Sequence, residues 1–334
     1  MNSQYVVFPE ANVVRVMDES VDPPPPGKIL CRARKSLLSI GTETYCLRGD
    51  FDPGTNWGEW VQYPFRPGYS MAAEVVALGQ GVTGVKEGQR VAAWVPHQGL
   101  FEISPEAVYP IPDSVSDEEA TWMCLATTTQ VAVRRAEHSL GEYVGVVGLG
   151  MLGQLIVQYL VLSGAQKIIC IDPVSGRLEM AKAHGATDTL PINVSDARGE
   201  IAELTKGNML DVVYDVTGHP AVLAYCIPLV RKLGRVILVG DTPNPTQQRL
   251  APGVVSDSIS ILGIHGSMTP EHPSEFYRWT RRDVIALFYD YLQRGQMKVS
   301  DLITHRYKPS DAPQVYANIM QDRSSAMGIV FDWM

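Results

Sequence analysis

Gly148, Gly150 and Gly153 stand in the spacing G-x-G-x-x-G, with Leu149, Met151 and Leu152 between them. Each glycine has a physical task. Gly148 permits a tight turn, Gly150 lets the backbone approach a pyrophosphate, and Gly153 lets a helix pack closely on a strand. The run follows the apolar segment 143–147 and opens a helix predicted over residues 152–163, a context that makes the spacing specific. The free N–H groups and partial positive charge of the helix N-terminus, at Met151 and Leu152, suit phosphate oxygens. Nineteen positions after Gly153, Asp172 ends the apolar segment 167–171. It is placed to accept from both ribose hydroxyls of a dinucleotide, which favours NAD. NADP is disfavoured, because its 2′-phosphate would meet a carboxylate. Arg177, five positions on, is placed to cover an adenine ring or to reach a 2′-phosphate.

These residues need a sheet to hold them. From Ser116 the texture of the chain alternates. Ser116-Asp-Glu-Glu119 is a capping-box pattern ahead of a helix expected over residues 120–136. Strands are expected at 143–147, 167–171, 211–216, 235–239 and 259–264. Helices at 152–163 and 175–184 end at Gly164 and Gly185. Apolar strands alternating with helices imply a parallel, doubly wound sheet covered on both faces. The first 115 residues differ. They are rich in β-branched residues, glycine and proline, and the short apolar runs 28–31, 72–78 and 90–95 predict an irregular antiparallel β domain. Pro23–Pro26, followed by Gly27, reads as a rigid lead into a strand. Beyond about Gly266 the alternation stops, and a helical segment over 274–295 precedes a tail over 302–333.

Composition narrows the class. The chain has 334 residues, 45% hydrophobic and 19% charged, which fits a two-domain globular enzyme. Its formal charge is 28 − 36 = −8 and no Lys/Arg-rich run occurs, so a nucleic-acid partner is not expected. The N-terminus has no basic and apolar leader, and the most apolar stretch is accounted for by the strand and helix around the glycines. No membrane partner is expected, and a cytoplasmic location is. The cysteines, Cys31, Cys46, Cys124, Cys170 and Cys226, lie at least fifteen positions apart. No paired-cysteine zinc motif exists, and scattered thiols suit a reducing compartment.

Taken with Ile40-Gly-Thr-Glu43, Pro67-Gly-Tyr69, Gly81 and Gly88-Gln-Arg90-Val91, and Leu302-Ile-Thr-His305, the glycine loop makes the sequence resemble the medium-chain dehydrogenase/reductase family over nearly its whole length. The resemblance implies a GroES-like β-rich catalytic domain (1–124 and a return segment 268–334) around a doubly wound Rossmann domain (125–267), an α/β class, with nicotinamide and substrate in the cleft between them. It further implies nicotinamide-side positions at Thr128, Val239 and Gly240, and a homodimer or homotetramer.

The departures from the family pattern concern metal. Where zinc members carry their first two ligands, this chain has Ile40 and Tyr69; Cys124 matches the third. The four-cysteine structural-zinc lobe is also missing. No zinc is therefore expected at either site, since catalytic zinc normally takes three protein ligands. Proton transfer at the substrate oxygen then falls to side chains. Tyr69 stands in a ligand position, Thr42 where the family places a substrate-contacting hydroxyl, Tyr45 where some members place a relay histidine, and Glu43 beside the metal position. Tyr69 or Tyr45 is expected as general acid/base, which for a base requires a lowered tyrosine pKa. His97 is a second relay candidate on the expected pocket wall, near Trp94. In the loop 48–66, Trp57 and Trp60 are expected to meet a sugar or ring, with Asp50, Asp52 and Glu59 as acceptors. A structural role is expected for His305.

The forms Gly-Thr-Glu and Pro-Gly-Tyr are similar to the zinc-lacking bacteriochlorophyllide hydroxyethyl dehydrogenases. The expected activity is zinc-independent, NAD-dependent oxidation of a small-molecule secondary alcohol: a polyol, a sugar or a ring-borne hydroxyl. The alternatives are a zinc-free NAD(P)H-dependent reductase of activated C=C bonds or quinones, and a binding protein that keeps the fold without catalysis.

Overall fold

A computed structural model describes residues 1–275 and 277–334. Two compact units divide the chain. The first is Met1–Cys124 with Ile285–Met334, and the second is Leu125–Val284. Residues 268–284, expected in the return segment, lie with the second unit.

The elements of the first unit are β1 (Asn2–Val7), β2 (Arg15–Ser20), β3 (Ile29–Leu38), α1 (Ile40–Arg48), α2 (Asn56–Trp60), β4 (Met71–Leu78), β5 (Arg90–Ala93), β6 (Leu100–Ile103), β7 (Val108–Pro110) and α3 (Asp117–Ala120). Helix α4 (Met123–Arg135) leads into the second unit. That unit holds β8 (Tyr143–Val147), α5 (Met151–Leu162), β9 (Lys167–Ile171), α6 (Ser175–Ala183), β10 (Asp188–Leu190), α7 (Ala197–Leu204), β11 (Leu210–Asp215), α8 (Val222–Cys226), β12 (Val230–Leu238) and β13 (Ser260–Gly263). Helix α9 (Arg281–Gln293) returns to the first unit, which ends with β14 (Ile303–Tyr307), α10 (Ala312–Gln321) and β15 (Gly328–Asp332).

Strand β3 organises the first unit. One of its edges carries β4; the other is shared, by β6 against Ile29–Arg32 and by β15 against Lys35–Leu38, all antiparallel. The C-terminal strand is thus built into the N-terminal sheet, whose order among the described residues is β14-β15-β3-β4-β5-β7 with β6 beside β3. Ile29, Cys31, Ala33, Met71, Ala73, Val75, Val91 and Phe101 alternate inward and form its core. The expected antiparallel domain is present; α1 interrupts it after β3, and α2 lies in the segment 48–66 expected as loop.

The second unit carries a parallel six-stranded sheet in the order β10-β9-β8-β11-β12-β13. Strands β8 and β9 match their expected bounds. Strand β10, which sequence reading passed over, has only three residues. Order reverses at β8, between β9 and β11, and crevices for ligands form at the C-terminal ends of strands at such a point. This is the doubly wound architecture that the alternation predicts.

Two helices depart from expectation. The capping box is present: Ser116 Oγ accepts from the Glu119 amide at 3.2 Å, and Glu119 reaches back to the Ser116 amide. The helix it starts nevertheless stops at Ala120, and α4 begins afresh at Met123. At this break the Thr121 carbonyl accepts from the buried Ser70 hydroxyl. Likewise α9 begins at Arg281, not 274. Thr280 and Asp283 exchange side-chain-to-backbone bonds at 2.9 and 3.3 Å that cap it there. Residue 276, inside the expected 274–295 segment, lies outside the described residues. No helix of the described residues is long and apolar enough to cross a membrane.

Candidate functional site

The glycine loop joins β8 to α5 as the spacing requires. Gly148 has φ +90°, and a Cβ there would lie 2.8 Å from Thr217 Cγ2. Gly153 packs so closely that a Cβ would fall 2.2 Å from the Gly148 carbonyl oxygen. Gly150 is different: a Cβ would meet nothing within 4 Å. Gly150 is also the N-cap of α5, and no side chain caps that helix. The α5 N-terminus thus has no side-chain cap and has open space beside Gly150. That cradle fits a dinucleotide pyrophosphate.

Asp172 is 4% exposed at the end of β9, and its carboxylate holds the loop together. Oδ2 accepts from the Leu149 amide at 2.8 Å, and Oδ1 from the Val174 amide at 2.8 Å. Arg177 Nη1 lies 3.8 Å from Oδ2. Each carboxylate oxygen can accept a second bond, so ribose recognition is compatible with this shaping role. Gln154, buried on α5, donates to the carbonyls of Leu149 and Arg177 at 3.1 and 2.8 Å and ties the loop to α6.

Three turns meet at the point of strand reversal. At the end of β11, Asp215 is buried, and its Oδ1 accepts from the Thr217 amide and hydroxyl at 3.0 and 2.7 Å. Its backbone carbonyl accepts from the amides of Val239 and Gly240, just past β12. A Cβ on Gly240 would lie 2.2 Å from the Gly218 nitrogen. Val239 and Gly240, which the family resemblance names, thus adjoin the Asp215–Gly218 turn, which the sequence marks only by its Thr-Gly pair. Thr128, half-exposed among buried neighbours on α4, faces Gly266, where a Cβ would fall 2.2 Å from its hydroxyl oxygen.

The second cluster lies in the first unit, on α1 and the turn before β4. Successive residues of α1 point apart. Glu43 turns inward and is 1% exposed. Its Oε1 accepts from the Ser39 amide at 2.7 Å; Oε2 faces His97 Nε2 at 3.1 Å and accepts from the Tyr316 hydroxyl. His97, fully buried, places Nδ1 2.7 Å from Ser36 Oγ, which also accepts from Trp333 Nε1 at 2.9 Å. Its ring meets Phe331 edge-on at 5.1 Å, and Gly68, at φ +90°, leaves it room. Both ring nitrogens of His97 thus have a polar partner, Glu43 on one side and Ser36 on the other. His97 is therefore no pocket-wall residue, and Glu43 does not reach a substrate. Both belong to a buried network that ties α1 to α10 and the C-terminus. Burial and the neighbouring Glu43 carboxylate raise the Tyr316 phenol well above its ordinary value.

Thr42 points the other way. Its hydroxyl lies 3.4 Å from that of Tyr69, which donates to Ser39 Oγ at 2.6 Å. Desolvation by burial pushes the Tyr69 phenol up, against the lowering effect of its bonds to Ser39 and Thr42. That direction is opposite to the lowering a tyrosinate base requires. Tyr45, one turn beyond Thr42 on α1, is half-buried against Trp57 at 5.7 Å.

The aromatic loop is an anchored structure. Trp57 is 6% exposed, stacked on Phe51 at 5.9 Å and packed on Tyr45 and Trp60. Its ring faces are covered, so it anchors the loop and has no face to offer a sugar. Trp60 is 46% exposed and stands edge-on to Phe65. Trp94 is half-buried, edge-on to Tyr109 at 5.4 Å. His305, on β14, bonds Thr304 and stacks on Tyr307.

Ile40, Tyr69 and Cys124 occupy the positions that zinc members use for ligands. Cys124 Sγ donates to the Tyr69 carbonyl at 2.9 Å. An alkyl group, a phenol and a hydrogen-bonded thiol are not a zinc donor set, so the residues present do not fit the metal. Among the described residues no group of three or more His, Cys, Asp and Glu side chains is arranged to hold one.

Comparison with known proteins places this architecture. Residues 40–105 match the alcohol dehydrogenase GroES-like domain, and residues 152–282 match the family described as zinc-binding dehydrogenase. The chain belongs to the medium-chain dehydrogenase/reductase family, and it is an enzyme of that class. It is similar to sorbitol dehydrogenase of Bacillus subtilis, 30% identical over 61% of this chain and 67% of that one. It is 26% identical to the L-threonine 3-dehydrogenase of Pyrococcus horikoshii, over 89% of this chain and 88% of the other. The crystal structure of 2R,3R-butanediol dehydrogenase from Bacillus subtilis superimposes with a TM-score of 0.82 at 20% identity, covering 99% of both chains, and shares the fold.

Proposed function

We propose that this protein is a zinc-independent, NAD-dependent dehydrogenase of secondary alcohols that carry further hydroxyls, such as polyols and sugars. The observation that carries the reading is the hydroxyl cluster of Tyr69, Thr42 and Ser39, in which Tyr69 stands at a position the family uses for a metal ligand. A bound nicotinamide supplies the hydride exchange. The chain's own residues bind and handle the proton. The Gly148–Gly153 loop and the α5 N-terminus hold the pyrophosphate, and Asp172 takes the ribose hydroxyls while Arg177 borders the adenine. Thr42 and Tyr69 bond the substrate oxygen as neutral hydroxyls, orienting the alcohol and exchanging its proton with solvent as the hydride moves. The names of the similar proteins, a polyol, a hydroxy amino acid and a diol dehydrogenase, support a secondary-alcohol substrate. The acidic residue after β9 weighs against an NADPH-dependent C=C or quinone reductase.

Purified protein is screened for NAD⁺ and NADP⁺ reduction across polyols, sugars and simple alcohols, with NAD(P)H oxidation by enones and quinones in parallel, before and after chelation. Chelator-resistant NAD⁺ reduction by a polyhydroxylated alcohol is expected. Stoichiometric zinc that chelation removes together with activity overturns the zinc-free reading, and turnover of enones alone overturns the alcohol reading.

A further inference from the structure

Ser39 precedes the first residue of α1 and is of the type that normally caps a helix with its side chain. Here it does not. Its Oγ makes no cap bond, and the amide at that position donates to Glu43 Oε1 instead. Ser39 is 6% exposed, and its side-chain oxygen accepts the Tyr69 hydroxyl at 2.6 Å, shorter than the 3.4 Å between Tyr69 and Thr42. A phenol has one proton. With that proton held on Ser39, the remaining lone pairs of the Tyr69 oxygen are left to accept, on the side away from Ser39.

We propose that Ser39 is a positioning residue: it fixes the rotation of the Tyr69 O–H so that the phenol oxygen is presented as an acceptor to the hydroxyl of the alcohol substrate. The Glu43 carboxylate sets the place of Ser39 through its amide, and Tyr316, His97, Ser36 and Trp333 hold Glu43 in turn. The return segment thereby acts on the hydroxyl cluster through bonded neighbours, without touching substrate. This inference rests on the dehydrogenase reading above and deepens it, because a substrate must offer a donating hydroxyl to Tyr69, and a carbon–carbon double bond offers none.

A double-mutant cycle tests it in the full-length enzyme. Ser39→Ala should lower kcat about ten-fold, the scale of one hydrogen bond, with the dissociation constant of NADH unchanged. Ser39→Thr, which keeps the hydroxyl, should restore most of the loss. On a Tyr69→Phe background, Ser39→Ala should cost nothing further, because there is no phenol proton left to orient. Equal losses on both backgrounds, or no loss on the native one, overturn the proposal. If Ser39→Ala does not fold, Ser39→Cys takes its place in the same cycle, with the same two outcomes. Full activity in Tyr69→Phe alone would instead overturn the role of Tyr69 in the proposed function, and that result is read before Ser39 is touched.

Discussion

Tyr69 and Glu43 sit one hydrogen-bonded residue apart, and the fold gives them opposite tasks. Tyr69→Phe removes a hydroxyl that can touch substrate, so kcat should fall on the order of 100-fold while thermal stability changes little. Because burial holds the phenol above its ordinary range, the pH profile of kcat should show no break from Tyr69 between pH 6 and about 10; a tyrosine-dependent break near neutrality would contradict the neutral-hydroxyl role. Glu43→Gln acts on folding. Three donors converge on this carboxylate, and an amide would turn an N–H₂ toward one of them. A loss of about 1–3 kcal/mol is expected by chemical denaturation.

At the scale of the element, the glycine loop separates two kinds of constraint. In Gly153→Ala the new Cβ meets the Gly148 carbonyl at 2.2 Å, and the loop must deform; both stability and NADH affinity should drop. In Gly150→Ala the Cβ meets nothing in the free protein. Folding should be preserved within about 1 kcal/mol, while NADH affinity falls ten-fold or more because the methyl occupies the pyrophosphate's approach. Melting curves read the first effect, and fluorescence titration with NADH the second. Equal melting losses in the two variants would refute this division. Elements also show where sequence signals are overruled. The capping box at Ser116 was legible and correct, yet the helix it starts ends at Ala120, next to Thr121, whose carbonyl accepts from Ser70, fifty-one positions earlier.

For the molecule as a whole, buried acids dominate the response to pH. Burial raises Cys31 to about 12 and pushes Cys46, Cys170, Cys226, Tyr214, Tyr289 and Tyr316 up as well. A thiol or phenol whose folded pKa exceeds its unfolded value keeps its proton more tightly in the folded state. Stability should therefore hold through neutrality and fall above about pH 9, as the unfolded chain begins to release those protons. A melting temperature that rises between pH 8 and 10 would refute this. All five cysteines are buried, and none forms a disulfide. A thiol reagent should modify none in the native protein and five after denaturation.

The sequence by itself determined the parts that depend on local spacing. The glycine run named its own loop, the apolar segments named β8 and β9 to the residue, and Asp172 announced its place, because strand-turn-helix geometry is written in neighbouring residues. The residue types at positions 40 and 69 were legible in the same way. Only the tertiary structure decided the directions in which side chains point. Thr42 and Glu43 are adjacent in sequence, yet one meets Tyr69 and the other is buried against Tyr316, 273 positions away. His97 and Trp57 carry polar and aromatic groups suited to a pocket, and packing against Phe331 and Phe51 takes them out of it. Ser39, at the N-cap position of α1, becomes an acceptor for a phenol thirty residues on. A side chain's partner is fixed by which strands share β3, and that pairing joins both ends of the chain, beyond the reach of any local pattern.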